Sequence, residues 1–236
     1  MSDTPSIAGP MRVGMLGGTF DPIHNGHLRS AVEVREVLGL NTLHMVPAPQ
    51  PPLRDTPQVS AAQRLALLKA GIGDTPGLLA DDRELQRDGP SYSVDTLAEL
   101  RQQYGDDVPL VMVIGFDAFL RLAKWDRAEQ LFELAHLVVI ARPGYQSSWP
   151  SALKELVGNR EVDSVDVLMQ RTRGGMLMLE LPSLMAISTY FGGLPLPSYR
   201  VPLRIMTSYS AIGSYLCLIS LGCFECILNR MLNLPQ

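Results

Sequence analysis

The sequence predicts an α/β fold built on a doubly wound parallel sheet. Three observations carry the prediction. Short apolar runs recur along the first two thirds of the chain, stretches with helical spacing separate them, and Gly- or Pro-rich segments follow several of the runs. In such sheets ligands bind beyond the carboxyl ends of the strands, so the loops that follow strands hold the candidate site residues.

The elements follow in order. Residues 1–10 are a polar lead-in, expected to be disordered. Residues 12–16 (RVGML) form a buried strand that meets a tight turn at Gly17-Gly18. Residues 27–38 carry apolar side chains at near-helical spacing, and Gly39 is their stop. Residues 42–46 (TLHMV) form the second strand, and five prolines across residues 47–57 make the next segment an irregular loop. Ser60 is positioned to cap a helix over 61–70, and residues 77–80 make a short third strand. A helix over 93–104 follows, with Ser93 as its candidate cap. Residues 109–114 (PLVMVI) read as a buried strand, 126–134 as a helix, and 137–141 (LVVIA) as another buried strand. The last stops at Arg142-Pro143-Gly144.

Composition bounds the function. A chain of 236 residues holds one domain, or one domain with an appendage, and needs no disulfide to bury a core. Hydrophobic residues make up 46% and charged residues 19%, as in a globular protein. A net charge of −4 argues against a broad nucleic-acid interface. No basic-then-apolar leader opens the sequence, so a cytoplasmic location is expected, with neither nucleic acid nor membrane as partner.

The chemistry concentrates in Gly17-Gly18-Thr19-Phe20-Asp21-Pro22-Ile23-His24-Asn25-Gly26-His27, between the first strand and the first helix. Paired glycines let backbone N–H groups approach a phosphate, and a helix N-terminus adds partial positive charge. His24 and His27, three apart, lie on roughly one side of a first helical turn and make a compact site for a polyphosphate. No Gly-Lys-Ser/Thr ending marks a Walker loop, and no acidic residue follows the second strand as a dinucleotide fingerprint requires. A metal site would need a third ligand, and none stands out.

This segment resembles the signature of the HxGH nucleotidyltransferase superfamily. With Val46-Pro47, Pro51-Pro52, Pro90-Ser91-Tyr92-Ser93, Thr96-Leu97, Ile114-Gly115-Phe116-Asp117, Trp125 and Arg142-Pro143-Gly144, the chain is similar to bacterial nicotinate-nucleotide adenylyltransferases over residues 11–187. The resemblance implies a Rossmann-like nucleotidyltransferase fold. It also implies a reaction joining nicotinate mononucleotide to ATP, with Mg²⁺ accompanying the ATP. By family position, His24 and His27 would contact the ATP phosphates, His27 chiefly in the transition state. Gly17, Gly18, Thr19 and Phe20 would offer backbone contacts, and Asp117 would hold the adenosine ribose. Trp125 would stack on the pyridine ring, and the backbone at Tyr92 and Ser93 would receive the nicotinate carboxylate. Arg54 would help hold a phosphate. Plainer roles stand beside these: Asp117 as a helix cap, Trp125 as core, Tyr92 as a surface turn residue and Arg54 as a solvated loop cation. Within the superfamily, a phosphopantetheine adenylyltransferase or a cytidylyltransferase is the alternative.

The family carries a second phosphate motif, Ile-Ser-x-Thr-x-x-Arg. Here Ile187-Ser188-Thr189 begins it, with Ser188 expected at the ATP, but Tyr190 and Gly193 stand at the Thr and Arg positions. The break coincides with a change of composition. Of 20 basic and 24 acidic residues, only Arg200, Arg204, Glu225 and Arg230 lie beyond residue 180, whereas all three cysteines, Cys217, Cys223 and Cys226, lie there. A shift of reading frame near Thr189 is the expectation, leaving residues 188–236 as an atypical tail. Cys223 and Cys226 lack two further ligands for zinc, and Glu225 weakens the apolar run 211–228 as a membrane span. The alternative reading is a nucleotide-binding protein impaired in catalysis.

Overall fold

A computed structural model describes residues 10–49, 57–141 and 148–181. Arg54, Ser188, the Arg142-Pro143-Gly144 segment, the lead-in 1–9 and everything beyond residue 181, including the Tyr190 and Gly193 positions and the cysteines, lie outside them.

Six strands make one sheet: β1 (Val13–Gly18), β2 (Thr42–Pro47), β3 (Leu78–Ala80), β4 (Leu110–Gly115), β5 (His136–Ala141) and β6 (Met176–Glu180). Their spatial order is β3-β2-β1-β4-β5-β6, and every pairing is parallel. The predicted doubly wound α/β architecture is therefore the observed one. Between the strands run α1 (Asn25–Leu38), α2 (Ala61–Ile72), α3 (Ser93–Tyr104), α4 (Phe116–Phe119), α5 (Ala128–Leu134), α6 (Ser151–Val157) and α7 (Val165–Leu168).

Side-chain alternation explains why the central strands read as unbroken apolar runs. On β4, Leu110, Met112 and Ile114 enter the core cluster that contains Leu97 of α3 and Leu131 of α5. Val111 and Val113 enter the opposite cluster, with Val34 of α1 and Leu68 of α2. A strand covered on both faces has no polar side to show. Two of the predicted helix boundaries hold. Gly39 closes α1 in the left-handed conformation, with φ 62°. Ser60 and Gln63 form a reciprocal capping box at the start of α2.

Four local expectations need correction. Gly17 and Gly18 are not a turn but the last two residues of β1, and the chain turns at Phe20, which has φ 47°. The cap of α3 is Tyr92 rather than Ser93, and its side chain makes no capping hydrogen bond. Asp117 does not cap a helix either, because Gly115 holds that position and Asp117 stands in the first turn. The helix predicted from 126 starts at Ala128, because Arg127 is left-handed with φ 49°. The sequence reading also left α6, α7 and β6 unassigned. No helix among the described residues is long and apolar enough to cross a membrane.

A buried polar cluster ties β2 to β3 and α3. His44 is fully buried on β2, with Nδ1 2.7 Å from Asp81 Oδ2 and Nε2 2.8 Å from the Tyr104 hydroxyl. The Arg83 guanidinium also pairs with Asp81, at 2.7 Å. Burial alone would raise the Asp81 carboxyl, but hydrogen bonds from His44 and Arg83 and the charge of Arg83 outweigh it and hold the group at about 2. A carboxyl depressed in the folded state adds stability above its ordinary titration range and loses it as pH falls toward the folded value. The depression is worth about 2 kcal/mol. Asp81→Asn is expected to lower unfolding free energy at pH 7 by about that amount. It should also flatten the acid-side decline between about pH 4 and pH 2. Urea titrations across that range test this, and an unchanged acid limb in the variant would contradict it.

Candidate active site

Strand pairing opens a crevice at the centre of the carboxyl edge. β1 pairs with β2 as far as Gly18↔Pro47, but with β4 only as far as Leu16↔Val113. β4 meanwhile continues along β5 to Gly115↔Ile140. The two central strands thus part after Leu16 and Val113, each still held by its outer neighbour. This is the switch point where chain order reverses, and doubly wound sheets bind ligands there. Gly17 and Gly18 line one side of the parting, with Gly115, Phe116 and Asp117 on the other. Gly115 and Asp117 are exposed, and a Cβ added at Gly115 would meet nothing within 4 Å.

The two histidines come together as the spacing predicts. His24 is the N-cap of α1 in extended conformation, and its carbonyl accepts from the N–H groups of His27 and Leu28. The two imidazoles stack with centroids 3.7 Å apart and planes 25° from parallel. Gly26 makes this possible, since a Cβ there would lie 3.0 Å from the His24 ring. Phe20, 3% exposed, sets its ring edge-on to His27 at 5.3 Å. Gly18 in turn leaves room for Phe20, because a Cβ at 18 would approach the Phe20 ring to 2.9 Å. The glycines at 18 and 26 thus serve ring packing, and neither has positive φ.

Two side chains that sequence reasoning missed fasten this loop. Arg64, on α2, is completely buried. Its guanidinium donates to the carbonyl of Thr19, to that of Pro49 at 2.9 Å and to that of Val59 at 3.1 Å. Burial lowers its affinity for the proton and the nearby charge of Asp21 opposes that, while an arginine remains cationic throughout. Asp21 accepts hydrogen bonds from the N–H groups of Gln58 and Val59, at 2.7 and 3.1 Å. A signal for Arg64 exists in the sequence: it takes the first place in the spacing Arg64, Leu68, Ile72, the buried stripe of α2.

Tyr92, Ser93 and Trp125 lie on neighbouring elements. Tyr92 and Trp125 are both half-buried against the core cluster that includes Leu97, Phe119 and Leu131. Arg127 links their segments. Its guanidinium pairs with Asp95 in the first turn of α3 at 2.9 Å and with Asp126 at 2.5 Å, and it lies 5.9 Å from the centre of the Tyr92 ring. Nothing in the sequence marks Arg127, since Asp95 and Tyr92, which it meets beyond its neighbour Asp126, belong to the segment of α3. Among the described residues, no group of three or more His, Cys, Asp or Glu is placed to hold a metal ion.

The sequence matches a cytidylyltransferase-like family model over residues 15–190. It is 60% identical over 181 residues to a probable nicotinate-nucleotide adenylyltransferase of Chromohalobacter salexigens, covering 77% of this chain and 83% of the relative. The chain belongs to the nicotinate-nucleotide adenylyltransferase family. A probable nicotinate-nucleotide adenylyltransferase of Halorhodospira halophila is 49% identical over 169 residues, covering 71% of this chain and 77% of the relative. The solved structure of Plasmodium falciparum nicotinic acid mononucleotide adenylyltransferase complexed with NaAD matches with a TM-score of 0.55. It covers 75% of this chain and 78% of that one at 14% identity, a likeness of fold. Membership of the nicotinate-nucleotide adenylyltransferase family makes this chain a nucleotidyltransferase.

The glycine at 18 gives a direct test of the loop's packing. Gly18→Ala is expected to destabilise the protein by about 1–3 kcal/mol through overpacking against Phe20. Thermal unfolding measures the loss, and Gly18→Ala combined with Phe20→Leu should recover part of it. No recovery would mean that the Phe20 ring is not what excludes a side chain at 18.

Proposed function

We propose that the chain transfers the adenylyl group of ATP to nicotinate mononucleotide, giving deamido-NAD and pyrophosphate in the cytoplasmic synthesis of NAD, with residues 11–187 as the catalytic domain. The observation that carries this reading is the crevice between β1 and β4, with the stacked His24 and His27 at the head of α1. In the reaction, a phosphate oxygen of the mononucleotide attacks the α-phosphorus of ATP, and the bond to the β-phosphate oxygen breaks. The attacking phosphate is already anionic at neutral pH, so no general base is needed. Catalysis then rests on in-line placement and on neutralising charge at the α-phosphate and the departing pyrophosphate.

His24 and His27 contact the ATP phosphates, and His27 bears most on the transition state. The backbone of Gly17, Gly18, Thr19 and Phe20 approaches nucleotide and phosphate, Asp117 accepts from the ribose hydroxyls, and Ser188 adds a contact to ATP. Mg²⁺, carried by the ATP phosphates, supplies further neutralisation of the leaving group. Trp125 stacks on the pyridinium, and Arg54 helps hold a phosphate. The N-terminus of α3 at Tyr92 and Ser93, uncapped by any side chain, offers N–H groups to the nicotinate carboxylate. An amide in that place would face donors with its own NH₂, which favours the acid as substrate.

One observation favours a second reading. Tyr190 and Gly193 replace the Thr and Arg of the second phosphate motif, which suits a protein that binds nucleotide but turns it over poorly. Resequencing the DNA across codons 183–195 tests the reading-frame account. A neighbouring frame encoding Thr-x-x-Arg and an amphipathic helix is expected, and its absence would sink that account.

Pyrophosphate release by the full chain with Mg-ATP separates the readings. Turnover is expected with nicotinate mononucleotide, well above the amide analogue and phosphopantetheine. ATP binding with no turnover on any acceptor would instead establish the impaired protein. In an active chain, His27→Ala should lower kcat about 10²–10³-fold. Trp125→Ala should raise KM for nicotinate mononucleotide more than KM for ATP. Equal effects on both KM values would remove Trp125 from the pyridine site.

A further inference from the structure

We infer that Arg64 is a positioning residue for adenylyl transfer, setting the loop after β1 against the loop after β2. The inference rests on the adenylyltransferase reading above, and it adds a residue that no phosphate motif contains.

The argument starts from what the guanidinium bonds. Its three acceptors are backbone carbonyls, Thr19 in the loop after β1, Pro49 in the loop after β2, and Val59 where that second loop returns to α2. An arginine with no hydrogen-bonded carboxylate at zero exposure is an expensive group to bury. An apolar side chain in the Arg64, Leu68, Ile72 stripe would pack the core without that cost. What an apolar residue cannot do is hold three carbonyls from three segments in one plane. The fork geometry of arginine does so, and lysine, a single point donor, does not.

Two weaker ties run parallel to Arg64. The Ala48 N–H donates to the Gly18 carbonyl at 2.9 Å, joining the same two loops. Asp21 joins the first loop to Gln58 and Val59 at the end of the second. The loop after β1 carries the proposed ATP contacts, and Arg64 fixes that loop against Pro49 and Val59. A transfer between two bound phosphates depends on the separation and angle between their holders. A displacement of about 1 Å there costs on the order of 10²-fold in rate. Arg64 acts through these loops and touches neither substrate.

The test compares wild type, Arg64→Lys and Asp21→Asn as full chains, with kcat expressed per ATP-binding site titrated, so that loss of folded protein is divided out. Wild-type turnover with nicotinate mononucleotide is the control for the underlying reading; if wild type is inactive, the adenylyltransferase reading fails and the inference fails with it. With wild type active, Arg64→Lys is expected to lower kcat per site about 10²-fold, while KM for each substrate changes less than about threefold. Hydrogen exchange at the Ala48 amide should speed up while the β4 and β5 amides stay protected. An unchanged kcat per site would overturn the inference, as would a loss confined to KM. Should Arg64→Lys not fold, Asp21→Asn decides, because it leaves Arg64 in place and costs the parallel tie its charge and one of its two acceptor oxygens. A fall of about tenfold in kcat per site, with both KM values held, supports loop placement as the rate-setting quantity. An unchanged kcat per site in that variant overturns it.

Discussion

Everything at the proposed site hangs from the two edges of β1. Its longer ladder to β2 carries Gly17 and Gly18 past the point where its ladder to β4 ends. That difference in length parts the central strands and aims the following loop over the gap. Had β1 kept pace with β4 to the end of both, backbone hydrogen bonds would close the space that a nucleotide needs. The packing of Phe20 under Gly18 and against His27 then converts the strand's exit direction into the placement of two imidazoles. Strand register, turn and imidazole placement are consecutive consequences of one pairing pattern.

Two buried arginines hold opposite edges of the sheet in a similar way. Arg64 gathers carbonyls that follow β1 and β2. Arg101 gathers those of Gly105, Val108, Leu134 and Thr172, which precede β4, β5 and β6. In each case carbonyls at the ends of strands and helices are gathered by one planar, multiply donating cation. Burial lowers the proton affinity of both side chains, which measures what enclosing these charges costs.

The sheet was legible in the sequence because its central strands are covered on both faces, so runs such as residues 109–114 have no other plausible reading. The histidine pair was legible because three-residue spacing at a helix start has one geometric outcome. Other features were hidden for physical reasons. Gly17-Gly18 suggests a turn by composition, yet the glycine at 18 is required by a ring two residues later rather than by its own dihedral angles. Helices of seven and four residues, α6 and α7, are too short for periodicity to register, whereas β6 does carry a signal, Gly174-Gly175 ahead of the apolar run 176–179, that the sequence reading does not use. Arg127 ends one prediction and begins another role, because a left-handed arginine is set by its contacts with Asp95 and Tyr92 across the fold. Arg64 sits between these cases, visible as a charge in an apolar stripe but silent about which carbonyls it would find.

The parallel sheet also has a consequence for synthesis of the chain. Val13 on β1 pairs with Leu110 on β4, a partner that the ribosome delivers nearly a hundred residues later. At about 5–20 residues per second, the inner edge of β1 waits on the order of 5–20 s for its second neighbour. In the last third of that interval, once β3 has been made, β1, β2 and β3 can pair with one another, while the edge of β1 that will face β4 still shows unpaired backbone. That nascent edge, rather than any surface of the finished protein, is where a chaperone or a second nascent chain has its best opportunity to bind.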